Sequence, residues 1–204
     1  MKILYSGFEP FAGERTNPSF EAIRLLPEKI AGADVIRLEI PVVFGKAADT
    51  LLQAVETYRP EVVICVGQTG GRFAVTPEFV AINYRCARIP DNAGQQPFKE
   101  QIFPDAPAAY FTKLPVHEIV RNCVEKGIPA TVSYSAGTFV CNEVMYALLH
   151  AIESRYPRLI GGFLHVPYSP EQAAGKFPTP PCLDLRMIAD ALCLAGEVTI
   201  GKSL

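Results

Sequence analysis

Nucleophilic catalysis by a thiol needs a cysteine, a base to take its proton and an acid to orient that base. This chain offers six cysteines, three histidines and twenty-one acidic residues for those roles. Position sorts the cysteines. Cys141 stands where a glycine-containing turn, Ala136-Gly137-Thr138, runs through Phe139-Val140 into a helix. Backbone N–H groups at a helix start favour an anion, so a thiol there is expected to have a lowered pKa. Cys65 falls in mid-strand, and Cys123 and Cys193 on apolar helix faces, so these three read as core; Cys86 and Cys182 stay undecided but lack a helix terminus. His150 lies within a regular helix and His117 near the start of another, where solvated or capping roles are ordinary. His165 closes an apolar strand just before Pro167. One helix and one returning strand separate it from Cys141, so it can face the same crevice, although core packing is its default role. Glu78, flanked by apolar residues in Thr76-Pro77-Glu78-Phe79-Val80, is a candidate for a partly buried carboxylate, yet composition alone does not select it.

Such residues act only if a scaffold brings them together, and apolar runs alternating with helical patterns predict an α/β layer fold. Strands are expected over 2–6, 35–43, 61–66, 131–134 and 158–166, with a β-rich stretch over 79–89. Asn17-Pro18 reads as an N-cap followed by proline, opening a helix to about Lys29. A second helix repeats through Ala48, Leu51, Leu52 and Val55 and closes at Pro60. Val116, Ile119, Val120, Cys123 and Val124 mark a third between Pro115 and Gly127, and others follow near 141–152 and 185–194. Reactive groups in such sheets gather where strands end and helices begin, which is where Cys141 and His165 fall. Residues 90–108 show no period, and a long irregular segment in a compact domain is either functional or mobile. Residues 177–181 are also irregular. The chain is expected to be one domain over residues 1–204, with helices on both faces of its sheet.

Composition narrows the function classes. Nineteen basic against twenty-one acidic residues give a net charge of −2 with no basic block, so nucleic acid is not an expected partner. The start, Met1-Lys2-Ile3-Leu4-Tyr5, leaves no room for a signal-peptide core, and no apolar run is long enough to span a bilayer. A cytoplasmic location without membrane contact is therefore expected, with thiols reduced. The terminal Lys202-Ser203-Leu204 permutes the peroxisomal address without matching it. Cysteine spacings contain no Cys-x-x-Cys pair and no histidine completes a zinc set, so no metal is expected. Gly67-Gln68-Thr69-Gly70-Gly71-Arg72 follows a strand but lacks the lysine and spacing of a phosphate loop.

Several strings then collect into a pattern. Gly7-Phe8-Glu9-Pro10-Phe11, Asn17-Pro18-Ser19, the Gly67–Arg72 loop, Val80-Ala81-Ile82-Asn83, Ala87-Arg88-Ile89-Pro90-Asp91-Asn92, Ser135 to Asn142 and His165-Val166-Pro167-Tyr168 closely resemble pyroglutamyl peptidase type I. The match runs in order from about residue 3 to residue 172. The resemblance implies a cysteine exopeptidase acting on peptides with N-terminal pyroglutamate, with Cys141 as nucleophile, His165 as base and Glu78 as orienting acid. It also implies a three-layer α/β/α sandwich with a mixed, mostly parallel sheet, commonly assembled as a homotetramer, and no cofactor. Two positions depart from the family's pattern. Phe79 follows Glu78 where a basic residue is usual, and Glu143 stands two places beyond Cys141 where histidine or an aromatic is expected. A carboxylate at 143 either opposes the thiolate or points to the helix's solvated face.

The small lactam of pyroglutamate calls for an apolar hollow with a few hydrogen bonds. Phe8, Phe11, Ile89, Phe139 and Val140 are expected to line it, with Asn17 and Gln68 as polar contacts, and the backbone N–H of Cys141 and the Arg88 side chain as oxyanion donors. Two other classes compete: a phosphorylase or nucleoside hydrolase holding phosphate on Gly67–Arg72, and a binding protein that keeps the pocket without turnover. The intact Cys-His-Glu set argues against both.

Overall fold

Alternation along the strands decides the architecture. In a computed structural model, which describes residues 1–203, Lys2–Phe8 form β1, Pro18–Arg24 α1, Lys29–Ile30 β2, Ala33–Ile40 β3, Lys46–Tyr58 α2 and Val62–Gln68 β4. Four short strands follow: Thr76–Pro77 (β5), Val80–Ile82 (β6), Arg85–Cys86 (β7) and Phe98–Glu100 (β8). Ala109–Phe111 is β9, then come α3 (Val116–Glu125), α4 (Val140–Ser154), β10 (Ile160–Val166), α5 (Pro170–Ala174) and α6 (Leu185–Ser203). Leu204, which ends the terminal tripeptide, lies outside the described residues.

The main sheet has the order β2-β3-β1-β4-β10-β5, parallel through its four central strands and antiparallel at both edges. Ile3 and Tyr5, Val62 and Ile64, and Leu164 and Val166 point to one face, where they pack with Ile23 of α1, Ile119 of α3 and Leu192 of α6. Leu4, Val63, Cys65 and Phe163 point to the other, against Leu51 of α2 and Val144 and Leu148 of α4. Both faces are covered, which is why the central strands read as continuous apolar runs. The result is the expected α/β/α sandwich with a mixed, mostly parallel sheet.

Prolines explain where the sequence-based elements run too long. The first helix stops at Arg24 rather than Lys29, because Pro27 disfavours helical backbone before it, and Lys29–Ile30 turns into an edge strand. Pro41 ends β3 three residues before the expected Val43. Residues 131–134 are no strand. They run beside the sheet's edge and touch residues 75 and 78 only through isolated bridges at Ala130 and Ser133. The last helix continues to Ser203, its apolar face extended by Ala195 and Ile200. A short α5, opened by a Ser169–Gln172 capping box, has no counterpart in the sequence reading.

Residues 90–108 are irregular apart from β8, which pairs with β7, and are tied down by two buried side chains. Asp91 accepts from the Phe44, Ala93 and Gln95 N–H groups. Asn83 accepts from Ile102 N–H and Phe103 N–H at 2.8 and 2.9 Å, and donates to the carbonyls of Phe103 and Ala106. Removing such a clip strands buried backbone donors. Asn83→Ala should destabilise the protein by about 2–4 kcal/mol and strip amide-exchange protection from residues 102–106. Urea unfolding with an unchanged midpoint would show that the clip is dispensable.

Candidate active site

The period-two alternation of β10 puts His165 on the same side as Phe163, their ring centroids 4.9 Å apart, and this is the side covered by α4. In the sheet His165 is registered opposite Gly67, the sixth residue of the apolar run of β4. The first turn of α4 descends onto that spot. A Cβ at Gly67 would lie 2.9 Å from Cys141 Sγ and 2.7 Å from Phe163 Cζ, so the missing side chain is the space the thiol occupies. Asn142 pins the turn: its amide accepts from Ile82 N–H and donates to the carbonyls of Ile82 and Tyr84. Cys141 thus sits at a helix start as expected, but the segment before it is the irregular 131–139 stretch and not a sheet strand.

Glu78 arrives from the sheet's antiparallel edge. β5 pairs Thr76 with His165 and Pro77 with Leu164, and Glu78 N–H bonds Phe163 O at 2.9 Å. Its side chain is fully buried, and Oε1 lies 2.7 Å from His165 Nδ1. An ionised carboxylate only accepts, so Nδ1 carries the proton and Nε2 is left to take one. The same Oε1 accepts from Arg72 Nη1 at 2.9 Å; Arg72 also donates to Thr76 Oγ1 and, at 3.3 Å, to Ser135 O. Glu78 Oε2 has no partner among the described residues.

The electrostatics reverse one expectation. Cys141 is not acidified: burial, helped by the Glu78 charge, pushes its thiol up to about 12, against weaker opposing pulls from its own backbone N–H and from Arg72. Helix-terminal N–H groups act over a short range, and here they are outweighed by desolvation of the anion. His165 is lowered from its ordinary value, because burial outweighs the hydrogen bond and charge of Glu78. At neutral pH the resting pair is therefore a thiol and a neutral imidazole.

Both side chains open on one cavity, and beside it lies a hollow of about 250 Å³. Phe8, Phe11, Asn17, Gln68, Arg88, Ile89, Phe139, Val140 and Cys141 all line that hollow. Phe139 stacks against Phe11 and Phe44 at 5.3 and 5.1 Å, building its aromatic wall. Arg88 is exposed and enters both spaces; its carbonyl accepts from Gln96 Nε2 at 3.1 Å, and its side chain makes no hydrogen bond or ion pair among the described residues. Asn17 reaches the wall with its amide partly engaged: Oδ1 accepts from Ser19, as the N-cap of α1, and Nδ2 donates one of its two hydrogens to Glu9 O. A cleft of about 580 Å³ beside Tyr156 and Leu159 is larger but contains neither cysteine nor histidine.

Glu143 neither faces solvent nor opposes the thiolate. It is buried, accepting from Gly45 N–H at 3.0 Å and from Arg85, and so joins α2, α4 and β7. Cys65 and Cys123 are core, whereas Cys193 is only half-buried, 3.8 Å from Glu197. All six cysteines are free. His150 bonds Tyr110 Oη at 2.9 Å, and His117 is exposed beside Phe79. Sequence reasoning missed Tyr168 on the cavity wall and Glu9, which accepts from Val42 N–H and Asn92. It also missed what the glycine-rich loop does, although that loop had been singled out: the loop makes room for Cys141 at Gly67 and brings Arg72 to Glu78.

Two outcomes follow from this geometry. Gly67→Ala should push the thiol aside and lower kcat about 100-fold, the scale of an ångström's misplacement; an active-site titration with normal turnover would contradict the packing. A lowered His165 stays neutral, and able to accept a proton, to a lower pH. The acidic limb of kcat/KM should therefore fall below pH 6.5, the ordinary imidazole value, and a limb above 7 would exclude the buried neutral imidazole as base.

Comparison with known proteins points to one family. The family model described as pyroglutamyl peptidase matches residues 1–202. The pyrrolidone-carboxylate peptidase of Enterococcus faecalis is 53% identical over 200 residues, covering 98% of this chain and 93% of that protein. Its Bacillus subtilis counterpart is 51% identical over 195 residues, covering 95% and 90%. The crystal structure of pyroglutamyl peptidase I from Bacillus amyloliquefaciens superposes with a TM-score of 0.95 at 46% identity, covering 99% of this chain and 98% of that one. A mutant pyrrolidone carboxyl peptidase from Pyrococcus furiosus gives 0.96 at 42%, with both chains fully covered. Sequence and fold agree: the chain belongs to the pyroglutamyl peptidase family.

Proposed function

We propose that this chain is a cysteine exopeptidase, one domain that hydrolyses the bond after an N-terminal pyroglutamyl residue through a thioacyl intermediate. The observation that carries the reading is the meeting of Cys141 and His165 in one cavity, with Glu78 behind the imidazole and an apolar hollow of about 250 Å³ beside the thiol. A five-membered lactam fits such a hollow between Phe11, Phe139 and Val140, and Gln68 supports a hydrogen bond to its ring.

The proton inventory supports one order of events. Since the resting sulfur is a thiol, its proton passes to His165 Nε2 as sulfur attacks the pyroglutamyl carbonyl. The oxyanion meets the backbone N–H of Cys141, at the start of α4, and the unpaired Arg88 guanidinium. Collapse of the tetrahedral intermediate breaks the C–N bond, and the imidazolium hands its proton to the departing amine. Water then gives a proton to the same Nε2 and its oxygen to the thioester, releasing pyroglutamate and restoring the thiol. Glu78 holds the ring throughout through Nδ1–H.

Six free thiols support a reducing, cytoplasmic setting. Exposed Phe73, Phe111 and Tyr134, the last two stacked on Phe79, support assembly with further copies, a homotetramer by the family resemblance. Described helices include none long and apolar enough to cross a membrane.

Release of a chromophoric amine from a pyroglutamyl amide tests the reading. The wild type should cleave it and spare the prolyl analogue, which lacks the ring carbonyl; Cys141→Ala should be inactive, and Arg88→Ala slower by about 100- to 1000-fold with an unchanged melting temperature. Full turnover by Cys141→Ala would end the proposal.

A further inference from the structure

Resting on the Cys-His-Glu reading above, we propose that Arg72 is a positioning residue of the reaction: by donating to the same Glu78 oxygen as His165, it fixes the carboxylate and sets the proton balance of the pair. Three observations lead there. First, Glu78 is fully buried and uses only Oε1, which holds both His165 Nδ1 and Arg72 Nη1, while Oε2 is unpartnered. Without Arg72 the carboxylate would be a buried charge held by a single bond to an uncharged ring, free to pivot about it. Second, Arg72 is itself held in place. Thr76 Oγ1 and Ser135 O accept from it, so the guanidinium spans the β4–β5 loop, the sheet edge and the approach to α4. Third, it lines neither the hollow nor the cavity that Cys141 and His165 share, but a separate surface recess with Phe73, Thr131 and Ser133. It acts through Glu78 and touches no substrate.

The consequence concerns pH. The charged and titratable groups facing His165 are Glu78 after β5, Arg72 after β4, Cys141 on α4, and Arg88 and Tyr168 on the cavity wall; Cys65 on β4 is buried and neutral, its thiol pushed up to about 12. Of these, Arg72 is the fixed cation paired directly with the His165–Glu78 unit. It disfavours a second positive charge there, whichever atom of the coupled pair carries the proton. Deleting its charge should make the pair hold that proton to higher pH.

Arg72→Gln and Arg72→Lys, assayed on a pyroglutamyl amide across pH beside Cys141→Ala and His165→Ala, test this. In Arg72→Gln the acidic limb of kcat/KM should move up by about one pH unit or more, the effect of a unit charge at this range, with kcat reduced and KM unchanged. Arg72→Lys, which keeps the charge, should keep the limb at the wild-type position. A wild-type profile in Arg72→Gln overturns the proposal, as does an equal loss of kcat in both variants with no movement of the limb, which marks a purely structural role. Should the Gln variant fail to fold, the Lys variant decides: a displaced limb with a wild-type melting temperature refutes the charge argument. Either refutation with inactive Cys141→Ala and His165→Ala leaves the peptidase reading standing; turnover in those two removes it.

Discussion

One oxygen atom, Glu78 Oε1, holds the site together. It joins a histidine at the end of a central strand to an arginine on the loop after the neighbouring strand, and its residue arrives from an antiparallel edge. Each of those origins depends on the sheet order. β10 must lie beside β4 for His165 to face Gly67, and β5 must add to β10 for Glu78 to reach Nδ1. Alternation then leaves no freedom: a register slip of one residue along β10 would turn His165 to the α3–α6 face, away from Cys141. The fold therefore specifies the chemistry through strand order and parity, before any side-chain preference enters.

Much of this was legible in the sequence, and the failures have identifiable causes. The β4 and β10 runs and the Val116–Glu125 helix were readable because burial on both faces, or on one stripe, leaves a periodic trace. Helix and strand ends were misplaced at Pro27 and Pro41, where a local backbone restriction overrides the apolar pattern. The 90–108 segment has no long period because only the three residues of β8 join a ladder, while side-chain clips from Asp91 and Asn83 hold the stretches around it, and such clips join residues that composition cannot pair. Candidate residues for the site were found by their place at element ends and by family likeness. The ionisation state of Cys141 was not, because it depends on how deeply the helix start is pressed onto the sheet, which only the packing reveals.

The two departures from the family pattern have local explanations. Glu143 is matched by Arg85 and the Gly45 N–H, a buried pairing that fastens three elements around the N-terminal half of α4. Burial raises the Glu143 carboxyl from its ordinary value, with Arg85 and the Gly45 N–H pulling the other way. Such a pair contributes less to stability than its removal would cost, since either half left alone is a stranded charge. Phe79, in place of a basic residue, stacks on Phe111 and Tyr134 and so extends the apolar surface at the sheet's edge without entering the cavity that Cys141 and His165 share.

The walls of the small hollow come from six separated stretches of chain: the loop after β1, the Val42 turn, the end of β4, the Arg88–Ile89 segment, the start of α4 and Tyr168. No two of these are joined by local structure alone, so the hollow does not exist in any partly assembled chain. Contacts so distant in sequence form late and slowly. Catalysis then becomes a sensor of completed assembly. On the proposed function, a half-folded chain, however helical, has nowhere to seat the ring.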